Sequence, residues 1–366
     1  MAIQSLQLAS FRNHESKSFE FSPGLTVIWG ENGSGKTAVL EAIHTLSFGK
    51  SFRTHQQREL IRNGDSAMVT QGRFSHNQSQ DDIAAQVSKS SGQKLKLNGK
   101  MIRGRKELLR RNNVVVLSPE EQSVTKGAPA ERRQFFDKMF SVSSFDYVDM
   151  LLDYTRILKQ RNAAVVLLKE NKIPISELLS WDTSLVQSGF KLWESRQKHI
   201  QDFQVQLKKV VSMYDQQIQF ELQYAAPVQS VNEYESQIKQ VQKKDIAIGR
   251  TTFGPHRDDF ILSWSNRDLR SFGSQGEHKL SLVLLKLAEL NFIQTKTGTH
   301  PTLLLDDLFA KLDLDRSRKI VSLLQGLASE SGEQVQTIVT TTDILNVEKS
   351  GLLSKHDANK TYHLER

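Results

Sequence analysis

The sequence of 366 residues contains no cysteine. This absence excludes disulfide bonds, thiol catalysis and cysteine-ligated zinc or iron–sulfur sites, so oxygen or imidazole ligands must hold any metal. Nor is there a stretch approaching the ~18 consecutive apolar residues of a membrane span, or a basic start followed by an apolar core as in a signal peptide. We therefore expect a cytoplasmic protein without a membrane partner.

Basic residues are in modest excess and unevenly spread. Lys and Arg number 49 against 41 Asp and Glu, a net charge of +8 that favours anionic partners such as nucleic acid. Residues 1–121 carry 17 basic and 11 acidic side chains, whereas 122–249 carry 17 and 15, and 250–366 carry 15 of each. The excess is therefore concentrated in the first third of the chain.

Apolar patterning predicts strands that alternate with helices. A helix is expected from Thr37 until Gly49 stops it, and the predicted strands are 3–8, 19–21, 25–29, 114–117, 260–262, 301–305 and 335–339. Residues 131–244 have few glycines and show helical spacing, which predicts an inserted helical arm. Its heptads are broken near Pro174 and Pro227, so the arm should be compact rather than a long coiled coil. The remainder indicates an α/β sheet.

The strongest motif lies between the third predicted strand and the first helix. It matches the phosphate-loop pattern G-x-x-x-x-G-K-[ST] with Gly30, Glu31, Asn32, Gly33, Ser34, Gly35, Lys36 and Thr37. Glycines let successive N–H groups curl round phosphates, Lys36 supplies a point charge, and Thr37 can bind Mg²⁺. The alternative is a glycine-rich turn without a ligand. In this strand–loop–helix context the motif predicts nucleotide binding with Mg²⁺.

A second motif ends the predicted strand near residue 305. Two carboxylates, Asp306 and Asp307, follow four apolar or small residues, which is the form expected of a Walker B element. Asp306 would then bind Mg²⁺ together with Thr37, and Asp307 would orient or deprotonate the attacking water. With Lys36, these two carboxylates are the candidate catalytic residues. Taken alone, the pair could instead be a capping pair at a turn.

A third motif, at residues 274–277, begins an apolar-periodic helix. Ser274 and Gly276 would leave the helix N-terminus open enough to receive a phosphate. The same spacing of Ser274 and Glu277 is also that of an ordinary capping box. Its position, about one helix length before Asp306, favours a role in nucleotide binding.

The order of these motifs resembles an ABC-type ATPase head of the kind found in Rad50, SMC and RecF proteins, with Asp313 at the D-loop position. Further segments resemble the RecF family in particular, namely 10–13, 40–43, 50–53, 117–120, 127–133 and 252–259. The resemblance implies an α/β P-loop NTPase head with an inserted α-helical arm domain. Residues 1–121 would form the N-terminal part of the head, 122–249 the arm, and 250–366 the C-terminal part.

The resemblance also implies a function. Ser274 and Gly276 of one subunit would close on ATP held by another subunit, so the protein would form an ATP-dependent homodimer. Arg12 and Asn13 match early residues that reach the nucleotide. The dimer would clamp gapped or duplex DNA in recombinational repair and assist recombinase loading with RecR and RecO.

Three positions depart from the pattern of such heads. Asp307 replaces the usual glutamate, which suggests slow hydrolysis; Thr342 stands where a switch histidine is expected; and a Q-loop residue is offered only by Gln122, after an offset. Two other interpretations remain open: an ABC transporter ATPase subunit, or another SMC-like DNA-repair ATPase. The segment 254–259 is interpreted mainly as a structural turn, with Arg257 a candidate contact to nucleotide or dimer.

The Asn98-Gly99 pair predicts a hairpin over 93–102. Basic residues crowd this hairpin and its exit: Lys94, Lys96, Lys100, Arg103, Arg105, Lys106, Arg110 and Arg111. Alternation predicts that Lys94, Lys96 and Lys100 share one face, a row suited to the DNA backbone, with little sequence preference because few aromatics interleave. The alternative is an edge strand that lysines protect from aggregation. In that case Arg132 and Arg133, or the helical arm, would form the DNA surface.

Overall fold

The computed structural model describes residues 2–76, 79–308, 314–331, 335–353 and 359–365. Its strands, numbered in chain order, are β1 Ala2–Phe11, β2 His14–Glu20, β3 Leu25–Gly30, β4 Ala67–His76, β5 Ser79–Ser88, β6 Gly92–Leu97, β7 Lys100–Met101, β8 Val114–Leu117, β9 Phe220–Gln223, β10 Ile261–Trp264, β11 Arg267–Asp268, β12 Thr302–Asp306, β13 Thr337–Thr341 and β14 Lys360–Leu364. Its α-helices are α1 Lys36–Phe48, α2 Ser123–Lys126, α3 Pro129–Ser143, α4 Phe145–Lys169, α5 Ile175–Tyr214, α6 Val231–Ile248, α7 Leu269–Phe272, α8 Gln275–Thr297, α9 Leu314–Ser331 and α10 Ile344–Lys349.

The chain forms two compact units. The first comprises Met1–Gln122, Val210–Gln217 and Leu282–Arg366, and the second comprises Ser123–Lys209 and Ile218–Ser281. The first boundary lies next to the predicted one, whereas residues 250–281, assigned above to the C-terminal part of the head, group here with the helical unit. The three-segment division by function remains a prediction.

A parallel sheet forms the centre of the first unit, in the order β14-β3-β13-β12-β8. Strands β8, β12 and β13 are buried at every position, because a parallel sheet covered on both faces selects continuous apolar runs such as Val114–Leu117. The carboxyl ends of β3 and β12 lie at the same edge of this sheet. The phosphate loop and the two carboxylates of the predicted Walker B element follow those ends.

An antiparallel sheet, in the order β2-β1-β4-β5-β6-β7, completes the first unit. Helix α1 contacts β4 and β5 of this sheet and β13 of the parallel sheet. It is buried at every position except Thr37, as expected of a helix enclosed on all sides. Its C-terminus at Gly49 adopts the left-handed conformation that glycine tolerates, with φ +65°. The predicted stop at Gly49 is confirmed.

The second unit is mainly helical, and a small sheet in the order β11-β10-β9 belongs to it. Helix α4 ends before Pro174 and α5 begins directly after it, so the predicted break lies between two helices. Aromatic side chains form much of the core, including Trp193, Tyr147 and Phe136. The predicted helical insert is confirmed. None of the helices within the described ranges has the length and hydrophobicity needed to cross a membrane.

Candidate functional site

The phosphate loop runs from the end of β3 to the start of α1. Gly30, Gly33 and Gly35 have φ values of +148°, +86° and +96°, a region that residues with a side chain rarely adopt. A Cβ on Gly30 would lie 2.1 Å from the carbonyl oxygen of Leu364. A Cβ on Gly35 would lie 2.5 Å from the His14 ring. Both glycines are therefore required by the backbone path and by close neighbours.

Lys36 is the first residue of α1, and its buried side chain reaches back to the start of the loop. Its Nζ donates to the carbonyl oxygens of Gly30 at 2.8 Å and Glu31 at 2.7 Å. Burial lowers the pKa of Lys36, while Asp307 and Asp306 act in the opposite direction. The ammonium is thus held by neutral backbone oxygens that a phosphate can replace.

Asp306 and Thr37 meet across the sheet edge. Thr37 Oγ1 donates to Asp306 Oδ1 at 2.8 Å, and Thr340 Oγ1 from β13 donates to the same oxygen at 2.6 Å. Burial raises the pKa of Asp306; the two hydroxyl donors oppose this shift, and the charges of Glu120 and Asp307 add to it. The structure therefore brings together Thr37 and Asp306, which the sequence predicts to bind Mg²⁺.

Two polar atoms of this site are buried and have no hydrogen-bond partner among the described residues: Asp307 Oδ1 and Ser34 Oγ. Asp307 has φ +52°, and its amide donates to Thr340 O at 3.0 Å. Unsatisfied buried oxygens are costly unless a ligand or water completes them. Across the described ranges no three His, Asp or Glu side chains could hold a metal by themselves. This donor set fits Mg²⁺ held by few protein oxygens together with nucleotide phosphates.

The loop and the carboxylates line a cavity of about 520 Å³. The cavity is also lined by the predicted residues Arg12 and Asn13, and by Thr342, at the position where the resemblance predicts a switch histidine. Residues that sequence reasoning did not assign to the site complete its wall, namely Arg53, Glu59, Ile61 and Asn63. Glu59, Ile61 and Asn63 reach it because Ile61 forms a bridge with Phe11 at the end of β1, a long-range pairing that no local motif indicates. Arg53 reaches it from the segment after α1, where it lies 3.7 Å from Glu41.

The two arginines that line the cavity differ in how many of their N–H donors are already hydrogen-bonded to the protein. Arg12 donates from Nε and Nη2 to Glu41 at 2.8 and 2.6 Å, and from Nη1 to Glu59 O at 2.7 Å. Arg53 lies 3.7 Å from Glu41 and 3.5 Å from Glu120, with its side chain 37% exposed. Arg12 is therefore held by the protein, whereas Arg53 has donors available for a nucleotide.

The turn between β1 and β2 supports the phosphate loop. Asn13 Nδ2 donates to Gly33 O at 3.1 Å, and His14 Nε2 lies 3.1 Å from Gly35 O. Burial lowers the pKa of His14, although the contact with Gly35 opposes the shift. Asn13 thus contacts the loop as well as the cavity, and His14 is a loop contact that the sequence did not indicate.

Ser274 and Gly276 belong to the second unit and are not among the residues that line the cavity. Glu277 N donates to Ser274 Oγ at 3.2 Å, and Ser274 N donates to Glu277 Oε2 at 2.7 Å. The capping box is therefore present, and it leaves the exposed Ser274 at the first turn of α8. Asp313 lies outside the described residues. Gln122 ends a short 3₁₀ turn that contains Glu120.

The basic hairpin is present as predicted, with Asn98 and Gly99 at φ +51° and +78°. Lys94 and Lys96 are exposed on one face of β6. The predicted placement of Lys100 was wrong: it pairs with Leu97, so the two-residue turn puts it on the opposite face, with Leu95.

The other basic residues of the hairpin exit differ in exposure. Arg103 and Arg105 are exposed, and Lys106 and Arg110 are half-buried. Arg111 lies 3.5 Å from Asp81. The one acid in the group, Glu107, accepts the backbone N–H of Arg103 at 2.8 Å, so its carboxylate caps a turn.

The segment 254–259 belongs to the core of the second unit. Asp258 Oδ2 accepts hydrogen bonds from Trp193, Arg196 and Tyr224. Arg132 is 3% exposed and binds Asp259 through two hydrogen bonds of 2.8 Å. The prediction of a structural turn is supported by these contacts. They also remove Arg132 as an alternative DNA contact.

The chain is similar to known proteins over nearly its whole length. Residues 2–360 match the family described as "RecF/RecN/SMC N terminal domain". A "DNA replication and repair protein RecF" of Lachnoclostridium phytofermentans is 33% identical over 347 residues, covering 94% of this chain and 93% of the relative. A protein of the same description from Leptospira interrogans is 34% identical over 356 residues, covering 95% and 93%.

Solved structures show the same fold. The "recombination mediator protein RecF-ATP in RecFOR pathway" superposes with a TM-score of 0.85 at 28% identity, covering 93% of this chain and 92% of that one. An Smc head bound to the C-winged helix domain of ScpA superposes with a TM-score of 0.55 at 17% identity and covers 95% and 91%. The expected ABC-type head fold, in its RecF and SMC form, is confirmed.

Proposed function

The chain belongs to the RecF family, and we propose that it is an ATP-dependent DNA-binding protein of recombinational repair. In this proposal an ATP-bound homodimer clamps gapped or duplex DNA and hydrolyses ATP slowly. The observation that carries it is the cavity lined by the phosphate loop, Thr37, Asp306 and Asp307, where the buried Oδ1 of Asp307 has no hydrogen-bond partner among the described residues. Family membership favours this function over that of a transporter subunit.

ATP would be held by the N–H groups of residues 30–37 and by Lys36, and Mg²⁺ by Thr37 and Asp306. When bound, Mg²⁺ supplies positive charge that offsets the charge of the phosphates. Arg53 is the cavity arginine with donors to spare, and it would add a charge-assisted contact to the nucleotide. Arg12 would act mainly by holding Glu41 and the 59–63 segment in place.

Asp307 is the proposed carboxylate that orients or deprotonates the attacking water. Its Oδ1 is buried without a partner among the described residues, as a group awaiting a water would be. A shorter side chain than glutamate reaches less far, which supports slow turnover. The cycle would then serve chiefly to time assembly and release.

The dimer is proposed because Ser274 and Gly276 do not line the cavity yet stand at an exposed helix N-terminus suited to phosphate. They would therefore complete the nucleotide site of a second copy. Ser274→Arg should leave ATP binding by the monomer intact and prevent ATP-driven dimerisation, because the added side chain blocks only the contact made by the partner copy.

Sedimentation velocity with and without ATP tests this arrangement, with the wild type, Ser274→Arg and Ser271→Arg compared at equal concentration. Ser271 is an exposed serine three residues earlier and provides the matched control. The proposal requires an ATP-dependent dimer in the wild type and the control alone. Equal loss of ATP affinity and dimer in Ser274→Arg would show that the site closes within one chain and would overturn the proposal.

DNA binding is proposed for the hairpin, with the exposed Lys94 and Lys96 as its phosphate-binding residues. Changing both to Glu should weaken duplex binding and reduce the salt slope by about 0.9 for each phosphate that is no longer neutralised. Lys243 and Lys244, exposed neighbours in α6, provide a control with the same charge change. An unchanged slope in the hairpin variant would assign these lysines to edge protection.

Partners in recombinase loading are proposed from the family. The structural neighbour is described as a recombination mediator in the RecFOR pathway, which supports RecR and RecO as partners. Co-sedimentation of the ATP-bound protein on gapped DNA with purified RecR and RecO tests this step. Retention of neither protein would remove them from the proposal.

A further inference from the structure

The C-terminal end of α1 contacts the basic hairpin exit. Gly49 closes the helix, and a Cβ on it would lie 3.0 Å from Arg105 Cγ and 3.3 Å from Arg105 Cδ. The aliphatic stem of Arg105 therefore packs over Gly49. Arg105 begins a short 3₁₀ turn, Arg105–Leu108, that contacts α1. This packing places Arg105 beside the next residue, Lys50.

Lys50 is partly buried, and Arg105 is the charged group that acts on it. Burial lowers the pKa of Lys50, and the like charge of Arg105 lowers it further. Within the part of the chain that the structure describes, neither side chain has an ion pair with a carboxylate. Two neighbouring cations, one of them partly buried, thus lack a compensating negative charge.

The carbonyl oxygen at the end of α1 is hydrogen-bonded to side chains other than these two cations. Gly49 O accepts hydrogen bonds from Gln93 Nε2 at 3.1 Å and Gln57 Nε2 at 3.5 Å. Gln57 Nε2 also donates to Gln93 Oε1 at 2.8 Å, which ties the helix end to β6. The Gly49 carbonyl is therefore satisfied by side-chain amides. The side chains of Lys50 and Arg105 remain available for a different acceptor.

We propose that Lys50 and Arg105 together bind one phosphate of the DNA backbone at the base of the hairpin. This inference rests on the proposed DNA-binding function and adds a defined anion site to it. A guanidinium presents a planar fork to phosphate oxygens, and an adjacent ammonium supplies a second, undirected charge. One phosphate would compensate both cations at once. Lys94 and Lys96, further along β6, would contact neighbouring phosphates of the same strand.

The proposed site lies at the opposite end of α1 from the phosphate loop. Helix α1 has 13 residues, which corresponds to about 20 Å. The alternative is a purely structural role, in which Lys50 and Arg105 compensate the negative end of the helix dipole and contribute about 0.3–1 kcal/mol to folding stability. That alternative predicts a change in stability and none in DNA binding. The two explanations are therefore separable by experiment.

The test measures the affinity for a fluorescent duplex by anisotropy at several KCl concentrations. The variants are Lys50→Gln, Arg105→Gln, their double mutant, and Lys349→Gln as a control that removes one exposed charge from α10. Because the pair neutralises a single phosphate, the double mutant should lower the salt slope by about 0.9 and each single variant by less. The control should keep the wild-type slope. Melting temperature and ATP affinity are measured on the same samples.

Two results would overturn the inference: a wild-type slope in the double mutant with a lowered melting temperature, or a decrease in slope near twice 0.9, which would indicate two separate phosphates. The variant Lys94→Gln/Lys96→Gln distinguishes the inference from the function on which it rests. If that variant lowers the slope and the Lys50/Arg105 double mutant does not, only the inference fails. If the wild type shows no salt-dependent DNA binding, both fail.

Discussion

Two aspartates, one in each unit, show opposite ways of placing a buried carboxylate oxygen. Asp258 in the helical unit accepts hydrogen bonds from Trp193 at 2.8 Å, Arg196 at 2.7 Å and Tyr224 at 2.7 Å. Asp307 in the nucleotide cavity has a buried Oδ1 without a partner among the described residues, and its backbone has φ +52°. The hydrogen-bonding capacity of the Asp258 oxygen is satisfied by the protein, whereas the Asp307 oxygen can accept a hydrogen bond from a ligand or water.

The cations of the two regions differ in the same way. Arg196 is 1% exposed and donates to Asp137, Asp258 and the carbonyl of Pro255. Among the described residues, the hydrogen-bond acceptors of Lys36 Nζ are two backbone carbonyls, and the carboxylates of Asp307 and Asp306 act on its charge without a hydrogen bond to it. A charge that the fold has already compensated supports structure. A charge held by neutral groups is free to be compensated by a substrate.

The largest effect on stability is expected where the network is complete. Asp258→Ala leaves Arg196 with Asp137 as its remaining carboxylate and removes the acceptor of Trp193 and Tyr224, so it should lower the free energy of unfolding by about 3–5 kcal/mol. Urea unfolding measures this value. Asp307→Ala provides the contrast, because its Oδ1 has no described partner to lose. Equal destabilisation of the two variants would abolish the distinction between the regions.

Loss of Lys36 should affect ligand binding much more than stability. Lys36→Ala removes the one ammonium that the loop directs at the phosphates, and we expect ATP affinity to fall at least about 100-fold, or ~2.7 kcal/mol. Calorimetric titration of ATP gives the affinity, and urea unfolding without nucleotide gives the stability. Retained ATP affinity would mean that the loop binds phosphate through its N–H groups alone.

The sequence predicted the parallel sheet better than the antiparallel one. Strands β8 and β12 are continuous apolar runs and were expected, whereas β4 and β5 were missed. The inward positions of β4 include Thr70 and Gly72 along with Met68 and Phe74, so the period-two apolar signal is broken. Strand β14 was missed because its one buried residue, Leu364, gives no pattern.

The site could be predicted where its residues are contiguous in sequence. The phosphate loop and the Asp306-Asp307 pair are local motifs with a physical reason for each residue type. Arg53 reaches the cavity from the segment that follows α1, where it lies 3.7 Å from Glu41. Asn63 reaches it through pairing of the 60–62 segment with β1, including the 2.8 Å hydrogen bond from Arg12 N to Leu60 O. Such a long-range pairing cannot be derived from spacing. The face of the hairpin on which Lys100 lies is likewise set by the geometry of the turn, through the pairing of Lys100 with Leu97.

Asp307→Asn should separate binding from turnover. The amide keeps the size of the side chain but cannot accept a proton, so ATP affinity should remain near the wild-type value and steady-state hydrolysis should fall about 100-fold. Phosphate release under saturating ATP measures the rate. The same variant should accumulate as the ATP-bound dimer. Normal turnover would show that another group activates the water, with Glu120, whose charge acts on Asp306, as the next candidate.

His256 of the helical unit provides the test with the smallest expected effect, a change in stability with pH. His256 Nδ1 accepts the Tyr154 hydroxyl at 2.6 Å, and Nε2 donates to Thr251 O at 3.1 Å, so both ring nitrogens are used in the neutral form. Burial lowers the pKa of His256 to about 4, while the contact with Thr251 opposes this shift. As with Asp258, the hydrogen bonds of this side chain are satisfied by the protein.

The lowered pKa makes stability depend on pH with a defined sign. Between the unfolded value of about 6.5 and the folded value of about 4, the unfolded chain binds a proton that the folded chain does not. The contribution of His256 is therefore complete above pH 6.5 and is lost as the pH falls towards 4. Between pH 7 and pH 5 the loss should be about 2 kcal/mol.

Urea unfolding of the wild type and His256→Gln at both pH values isolates this contribution, since every other group titrates in both proteins. The stability difference between them should shrink by that amount at pH 5, and a constant difference would show that His256 titrates normally.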